Sequence, residues 1–160
     1  MQKITTFLTF NDQAEEAMNF YISVFKNGKK KGMFQPEEGA DVKEKKPFLG
    51  GSFEIEGQEF MVLNAGPSFN FTHGISLFVR CETQQEVDDL WQKLTADGGK
   101  EVACGWLVDK FGVSWQVIPT ILGQYLGDKD PVKSKRVMEA MMKMIKIDID
   151  LIQKAYDGES

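Results

Sequence analysis

The 160-residue chain has few side chains suited to metal or nucleophilic chemistry, with only two cysteines and one histidine. Cys81 and Cys104 form no CxxC motif and lie in no Cys/His cluster, which argues against a zinc site. With His73 as the single histidine, no scheme that needs two imidazoles is available, and no serine sits in a nucleophile-elbow signature. Two free thiols are typical of a reducing compartment, so we expect a cytoplasmic protein.

Positive charge and long apolar runs are also scarce. The net charge is −5, from 19 Lys and Arg against 24 Asp and Glu, whereas a nucleic-acid-binding surface needs a basic footprint. No apolar run approaches the roughly 20 residues of a membrane-spanning helix, and the sequence MQKITTFLTF lacks the basic-then-apolar order of a signal peptide. We therefore expect neither nucleic acid nor membrane as a partner.

The first half of the chain predicts one strand, one helix and three further strands. The Thr, Ile and Phe residues of Lys3–Phe10 predict that this stretch is a strand. Asp12 and Glu15 have the spacing of a capping box, and Asn27-Gly28 ends the helix that follows. Its apolar stripe comprises Ala14, Ala17, Met18, Tyr21 and Phe25. The later strands are expected at Lys29–Met33, Phe48–Ile55 and Glu59–Asn64, the last two joined at Glu56-Gly57.

The charged stretch between Pro36 and Pro47 carries no periodic apolar pattern. A solvated loop is the simpler interpretation of such a segment. The alternative is a mobile flap over a binding site. A second loop, Ala65–Thr72, carries Phe69 and Phe71.

The pattern then repeats, which is a stronger indication of fold than any single motif. A strand is expected over Gly74–Val79, and Thr83 with Glu86 forms a second capping box. The apolar stripe of this helix comprises Val87, Leu90, Trp91 and Leu94, and the helix ends at Asp97-Gly98-Gly99. A strand near Glu101–Ala103 follows. The two halves predict an α+β protein built from two βαβββ modules.

The stretch Cys104–Pro119 predicts a hairpin that closes the second module. Its turn lies at Asp109–Gly112, where Gly112 can take a positive φ. In the second strand, one face carries Val113, Trp115 and Val117, and the other carries Ser114, Gln116 and Ile118. We predict that Gln116 marks the centre of a cavity, because a face with Ser114 and Gln116 borders water or a ligand.

The C-terminal segment predicts a long helix, capped by Asp130 and begun by Pro131. Its apolar stripe comprises Met138, Met141, Met142, Ile145, Ile149 and Ile152. That stripe needs a partner surface, either on its own domain or across a dimer interface. The expected organisation is a paired domain over residues 1–125, with modules of about 1–70 and 71–120, and a helical extension over 126–160.

The two βαβββ modules, the second closed by this hairpin, resemble the vicinal oxygen chelate superfamily, the glyoxalase, bleomycin-resistance and extradiol dioxygenase group. Three stretches resemble one branch of it. They are LTFNDQAEEAMNFY at Leu8–Tyr21, GISLFVRCETQQEVDDLWQKL at Gly74–Leu94, and CGWLVDKFGVSWQVIP at Cys104–Pro119. Together with the tail RVMEAMMKMIKIDIDLI, they are similar to its PhnB-like branch, named for 3-demethylubiquinone-9 3-methyltransferase. The resemblance implies a curved-sheet cup and a homodimer. Nothing resembles a strand–GxGxG–helix site for S-adenosylmethionine.

Metal-dependent members of that superfamily place four ligands on the first and last strands of each module. The matching positions here are Thr5, then Val62 or Asn64, then Gly74 and Gln116. Two amides would hold a divalent cation loosely, so we expect no cofactor. His73 and Gln116 are the candidate ligands if a metal binds. Alternation places His73 in phase with Ile75 and Leu77, on the side that faces the helix.

The resemblance implies a cup lined by hydroxyl, amide and aromatic side chains. The expected lining residues are Thr5, Phe7, Thr9, Asn64, Ser76, Phe78, Ser114 and Gln116, with Trp106 or Phe69 at the rim. Cys104 is the one candidate nucleophile, and a spectator thiol is the simpler interpretation. We predict a metal-independent protein that binds or sequesters a small molecule. The alternatives are a metal-assisted glyoxalase- or dioxygenase-type enzyme, and the methyltransferase of the family name.

Overall fold

The computed structural model describes residues 2–34 and 47–159, and these fall into two compact units that divide between Asn70 and Phe71. Nearly all of the predicted loop between Pro36 and Pro47, with its alternative as a flap, lies outside the described residues. None of the helices in the described ranges has the length and apolar content needed to cross a membrane.

The first unit is a four-stranded sheet with one helix. Its elements are β1 (Thr6–Phe10), α1 (Ala14–Val24), β2 (Lys29–Phe34), β3 (Gly50–Ile55) and β4 (Gln58–Asn64). The strand order is β1-β4-β3-β2, with β1 parallel to β4 and the other pairs antiparallel. The four predicted strands are confirmed, although β1 begins three residues later than expected. The predicted turn is also confirmed, because Glu56 and Gly57 both have positive φ, as a tight hairpin requires.

The predicted cap of α1 is wrong. Neither Asp12 nor Glu15 caps the helix; the N-cap residue is Gln13, without a side-chain hydrogen bond. The Ala14 N–H instead donates to Asn64 Oδ1 at 2.8 Å, from the end of β4. The helix also ends earlier than predicted, at Val24. Its apolar stripe is confirmed, because all five predicted residues are buried.

The second unit repeats this topology. Its sheet and helix are β5 (Ser76–Cys81), α2 (Gln84–Thr95), β6 (Lys100–Glu101), β7 (Trp106–Val108) and β8 (Ser114–Pro119). The strand order is β5-β8-β7-β6, with β5 parallel to β8, so each strand holds the place of its counterpart in the first unit. The prediction of two βαβββ modules in an α+β fold is therefore confirmed.

Helix α2 forms as the sequence predicts. Thr83 is its N-cap, and the Thr83 hydroxyl accepts from the Glu86 N–H at 3.2 Å. The Glu86 carboxylate accepts from the Glu82 N–H at 2.8 Å. A capping box would instead use the N–H of the N-cap residue, Thr83. The predicted stripe of Val87, Leu90, Trp91 and Leu94 is buried. It belongs to the same layer as Leu107, Trp115 and Val117, which are buried on the facing strands.

The prediction of a single long C-terminal helix is wrong. The segment contains α3 (Thr120–Leu126), α4 (Pro131–Met141) and α5 (Ile149–Asp157). Asp130 caps α4 as predicted, but Asp148 caps a separate α5 by accepting from the Leu151 N–H at 3.0 Å. The predicted apolar stripe is broken, because Met138, Met142 and Ile145 are exposed. The residues that form the core here are Ile118, Leu122, Val137, Ile147 and Ile152.

The segment between α4 and α5 is held by backbone hydrogen bonds to the second module. The N–H groups of Cys104 and Gly105 donate to the carbonyls of Met144 and Ile145 at 2.8 and 2.7 Å. The Gln84 amide, on α2, donates to the Ile147 carbonyl at 3.1 Å and accepts from the Ile149 N–H at 2.8 Å. The C-terminal segment therefore packs on its own chain, within the second unit.

Candidate functional site

The register of the second sheet collects the polar candidates on one face. Ser76 pairs with Ser114, and Phe78 pairs with Gln116, which also pairs with Trp106 on the other side. Paired residues point to the same side of a sheet. We call this side the Gln116 face; its residues are Ser76, Phe78, Arg80, Ser114, Gln116, Ile118, Trp106, Val108 and, at the far strand, Lys100. The opposite side is the core layer beneath α2.

Two side-chain hydrogen bonds organise the Gln116 face. Gln116 Nε2 donates to Ser76 Oγ at 2.8 Å. His73 Nδ1 lies 3.1 Å from Ser114 Oγ, in a hydrogen bond whose direction follows the imidazole tautomer. Ser114 is only 2% exposed, so this contact satisfies a buried hydroxyl. Both serines thus have a partner beside the half-exposed ring of Phe78.

The structure places His73 differently from the alternation of the sequence. Counting from Ile75 puts His73 on the helix side, but β5 begins only at Ser76. Because His73 precedes the strand, the two-residue period does not extend to it. Its ring instead contacts Ser114, on the Gln116 face. Gly74, also before the strand, is exposed and donates its N–H to Thr72 Oγ1 at 3.3 Å.

In the first unit, the candidate residues divide between the two faces of the sheet. Phe7 is paired with Met61 and is 47% exposed, with Thr9 on the same face and Thr5 just before the strand. Asn64 pairs with Phe10 on the opposite face. Its amide is engaged there, because Oδ1 accepts from Ala14 and Nδ2 donates to the Phe48 carbonyl at 3.2 Å.

The remaining sequence candidates are placed as follows. Val62, the alternative to Asn64, is fully buried, whereas Phe69 is exposed and Trp106 is half-buried. Cys104 is half-buried with a φ of 61°, and its backbone N–H is bonded to Met144. The other thiol, Cys81, is buried at the end of β5. Burial first, and then the charges of Glu86 and Glu82, raise its pKa to about 12, which makes it a poor nucleophile.

Sequence reasoning missed Arg80 on the Gln116 face. It pairs with Ile118, in the row next to Phe78 and Gln116. The signal was present, because the two-residue period from Ser76 through Phe78 continues to Arg80.

The donor set does not fit a divalent metal. The ligand positions that the resemblance implies are held by Thr5, Val62 or Asn64, Gly74 and Gln116, and the Asn64 amide is engaged by Ala14. Over residues 2–34 and 47–159, no three His, Cys, Asp or Glu side chains come together in a group able to hold an ion. Amide and hydroxyl oxygens without a carboxylate are weak ligands for such a cation.

The repeated βαβββ topology is the paired-module fold expected for the vicinal oxygen chelate class. The family model described as 3-demethylubiquinone-9 3-methyltransferase matches residues 2–118, which is well over half of the chain. The chain therefore belongs to this family, the PhnB-like branch expected from the sequence. The match ends at Ile118, so α3, α4 and α5 lie beyond it.

One solved structure gives the same assignment, and a second shows the same fold. A PhnB protein from Bacillus cereus, which carries the same methyltransferase name, is 39% identical; the match covers 74% of this chain and 100% of that one, with a TM-score of 0.65. The protein PA1353 from Pseudomonas aeruginosa is 22% identical over 74% and 98% of the two chains, with a TM-score of 0.61, and supports the fold alone. No curated protein sequence matches this chain.

Proposed function

We propose that this chain binds a small, partly aromatic molecule on the Gln116 face without the help of a metal. The observation that carries the proposal is the Gln116–Ser76 hydrogen bond beside the ring of Phe78, which is 50% exposed. An amide holds two N–H donors and an acceptor oxygen, so Gln116 can offer groups to a ligand beyond its bond to Ser76. A few fixed polar groups within an apolar surface are typical of small-molecule sites.

A metal-assisted glyoxalase- or dioxygenase-type enzyme is the first alternative. It would use His73 and Gln116 as ligands, and the contact of His73 with Ser114 places its ring on this face. The donor set argues against it, since neither residue supplies a negative charge to the cation.

The family name makes methyl transfer the second alternative. S-adenosylmethionine sites of the strand–GxGxG–helix type need glycines between a strand and its helix. In the described residues, two strand-to-helix connections are Asn11–Gln13 and Glu82–Thr83, without a glycine, and the third, from β8 to α3, has no intervening residue. Isothermal titration calorimetry tests this alternative: saturable S-adenosylmethionine binding would support it, and we expect none.

A neutral aromatic amide, 2-naphthamide, is a suitable probe of the proposed site. We expect it to shift the amide resonances of β5, β7 and β8 in two-dimensional NMR. Gln116→Leu removes the polar group at nearly constant volume and should weaken that binding several-fold. Gln92→Leu is the matched control, because Gln92 is an exposed glutamine on α2. Equal effects of the two substitutions would contradict the proposed site.

Metal content separates the proposal from the enzyme alternative. We expect elemental analysis of freshly purified protein to find less than stoichiometric divalent metal. A stoichiometric metal that is lost in both His73→Ala and Gln116→Ala would refute metal-independent binding. The homodimer and the cytoplasmic location stay predictions; light scattering after size-exclusion chromatography tests the first, and cell fractionation tests the second.

A further inference from the structure

Arg80 brings a positive charge to the Gln116 face. The residue is exposed, and its guanidinium carbon lies 5.5 Å from the ring centroid of Phe78, the residue two positions earlier on the same strand. This cation–π contact holds the charge over the aromatic ring. Arg80 and Ile118 form the row next to Phe78 and Gln116, about 7 Å further along the strands at the usual rise per residue.

The Gln116 face itself offers Arg80 no counter-charge. None of its nine residues is acidic, although the whole chain has a net charge of −5. The nearest acid along the chain is Glu82, just after the end of β5, whose carboxylate accepts from the Thr120 hydroxyl at 3.2 Å. Within the described part of the chain, no carboxylate lies at ion-pair distance from Arg80.

We propose that the ligand of the Gln116 face carries an anionic group on a flat apolar body, and that Arg80 binds this group. The inference rests on the proposed function and names the chemical class of its ligand. The planar guanidinium suits a carboxylate or sulfonate, to which it can donate two parallel hydrogen bonds. Phe78 offers its ring to the apolar body. Gln116, in the same row as Phe78 and one row from Arg80, offers its side-chain amide.

The test compares two probes of nearly equal shape, 2-naphthoate and the neutral 2-naphthamide, by NMR titration at low salt. The wild-type chain should bind naphthoate more tightly than naphthamide, and added salt should reduce that difference. Arg80→Gln should weaken naphthoate binding about tenfold, the usual size of a lost charge-assisted hydrogen bond. It should change naphthamide binding by much less.

Two further variants make the comparison specific. Lys93→Gln removes one positive charge from an exposed position on α2, away from the face, and should leave both affinities at the wild-type values. Arg80→Lys keeps the charge and should recover part of the naphthoate affinity. Because Arg80 is exposed, Arg80→Gln should melt within a degree or two of wild type, which excludes a folding defect.

The outcomes distinguish this inference from the proposed function. If naphthamide binds as tightly as naphthoate, or if Arg80→Gln and Lys93→Gln have equal effects, the anionic ligand is refuted while binding to the face stands. If neither probe perturbs β5, β7 or β8 in the wild-type chain, both proposals are refuted.

Discussion

Gln116 donates a hydrogen bond of 2.8 Å to Ser76, although Ser76 is not its partner in the parallel pair β5–β8. Ser76 pairs with Ser114, two residues earlier, and Gln116 pairs with Phe78. The amide therefore leans back along the face towards the serine row. The Phe78 ring, in the same row as Gln116, is half-exposed, and the Arg80 guanidinium lies 5.5 Å from its centroid.

Asn64, and not Asp12, should stabilise the start of α1. Asn64→Ala removes the acceptor of the Ala14 N–H and the donor to the Phe48 carbonyl, so we expect a loss of about 1–2 kcal/mol in the free energy of unfolding. Asp12→Ala should stay within about 0.5 kcal/mol of wild type. Urea denaturation followed by circular dichroism gives both values. A loss in Asp12→Ala as large as in Asn64→Ala would contradict this account.

Gly105 should tolerate no side chain. Its φ is 81°, and an added Cβ would lie 2.6 Å from Ile118 Cδ1 and 3.0 Å from Ile147 Cγ1. Left-handed backbone and overpacking each cost about 1–3 kcal/mol, so Gly105→Ala should lower the melting temperature markedly.

Gly123→Ala is the control for this substitution. Gly123 lies in α3 with nothing within 4 Å of an added Cβ, so alanine should be neutral or stabilising by up to about 1 kcal/mol. Ile118→Val, which removes the Cδ1 atom, should recover part of the stability lost in Gly105→Ala. Equal melting temperatures for Gly105→Ala and wild type would exclude the close approach of Ile118 and Ile147.

Asp109 should hold the turn of the β7–β8 hairpin. This buried carboxylate accepts from the N–H groups of Phe111 and Val113 at 2.9 and 3.0 Å, and from Trp115 Nε1 at 2.9 Å. Asp109→Ala leaves three donors without this partner and should cost about 3 kcal/mol or more. Asp109→Asn keeps one acceptor oxygen and should cost less. Denaturant midpoints give the order; equal losses would show that the hydrogen bonds contribute little.

The two thiols should react at very different rates. Burial, reinforced by Glu86 and Glu82, raises the pKa of Cys81 to about 12, so its thiolate is scarce at neutral pH. The native chain should therefore release about one equivalent from Ellman's reagent quickly, from half-buried Cys104, and the second only after unfolding. Cys104→Ser should abolish the fast phase. Two fast equivalents in the native chain would contradict the burial of Cys81.

The sequence alone predicts the two modules, because the patterns that indicate their strands and helices lie within a few neighbouring residues. Alternation placed Ser76, Phe78, Ser114 and Gln116 on one face, and the strand pairs show that arrangement. Whether these residues bind a ligand stays a prediction. The Thr83 cap was also readable, since both partners lie within four residues.

The errors arise where distant residues decide local structure. The cap of α1 comes from Asn64, 50 residues from Ala14, and no window around Asp12 contains it. In the tail, apolar spacing of three and four continues from Met138 to Ile152 and predicts one helix. The backbone leaves the helix after Met141, and the carbonyls of Met144 and Ile145 bond to Cys104 and Gly105. No proline or glycine marks that break.

The most direct test of metal-independent binding on the Gln116 face is an NMR titration of ¹⁵N-labelled protein with 2-naphthoate, with and without excess chelator. We predict the same dissociation constant in both conditions and perturbations centred on the Gln116 side-chain amide and on Ser76. Binding that disappears with chelator and returns with a divalent cation, or perturbations that map away from β5 and β8, would contradict the account.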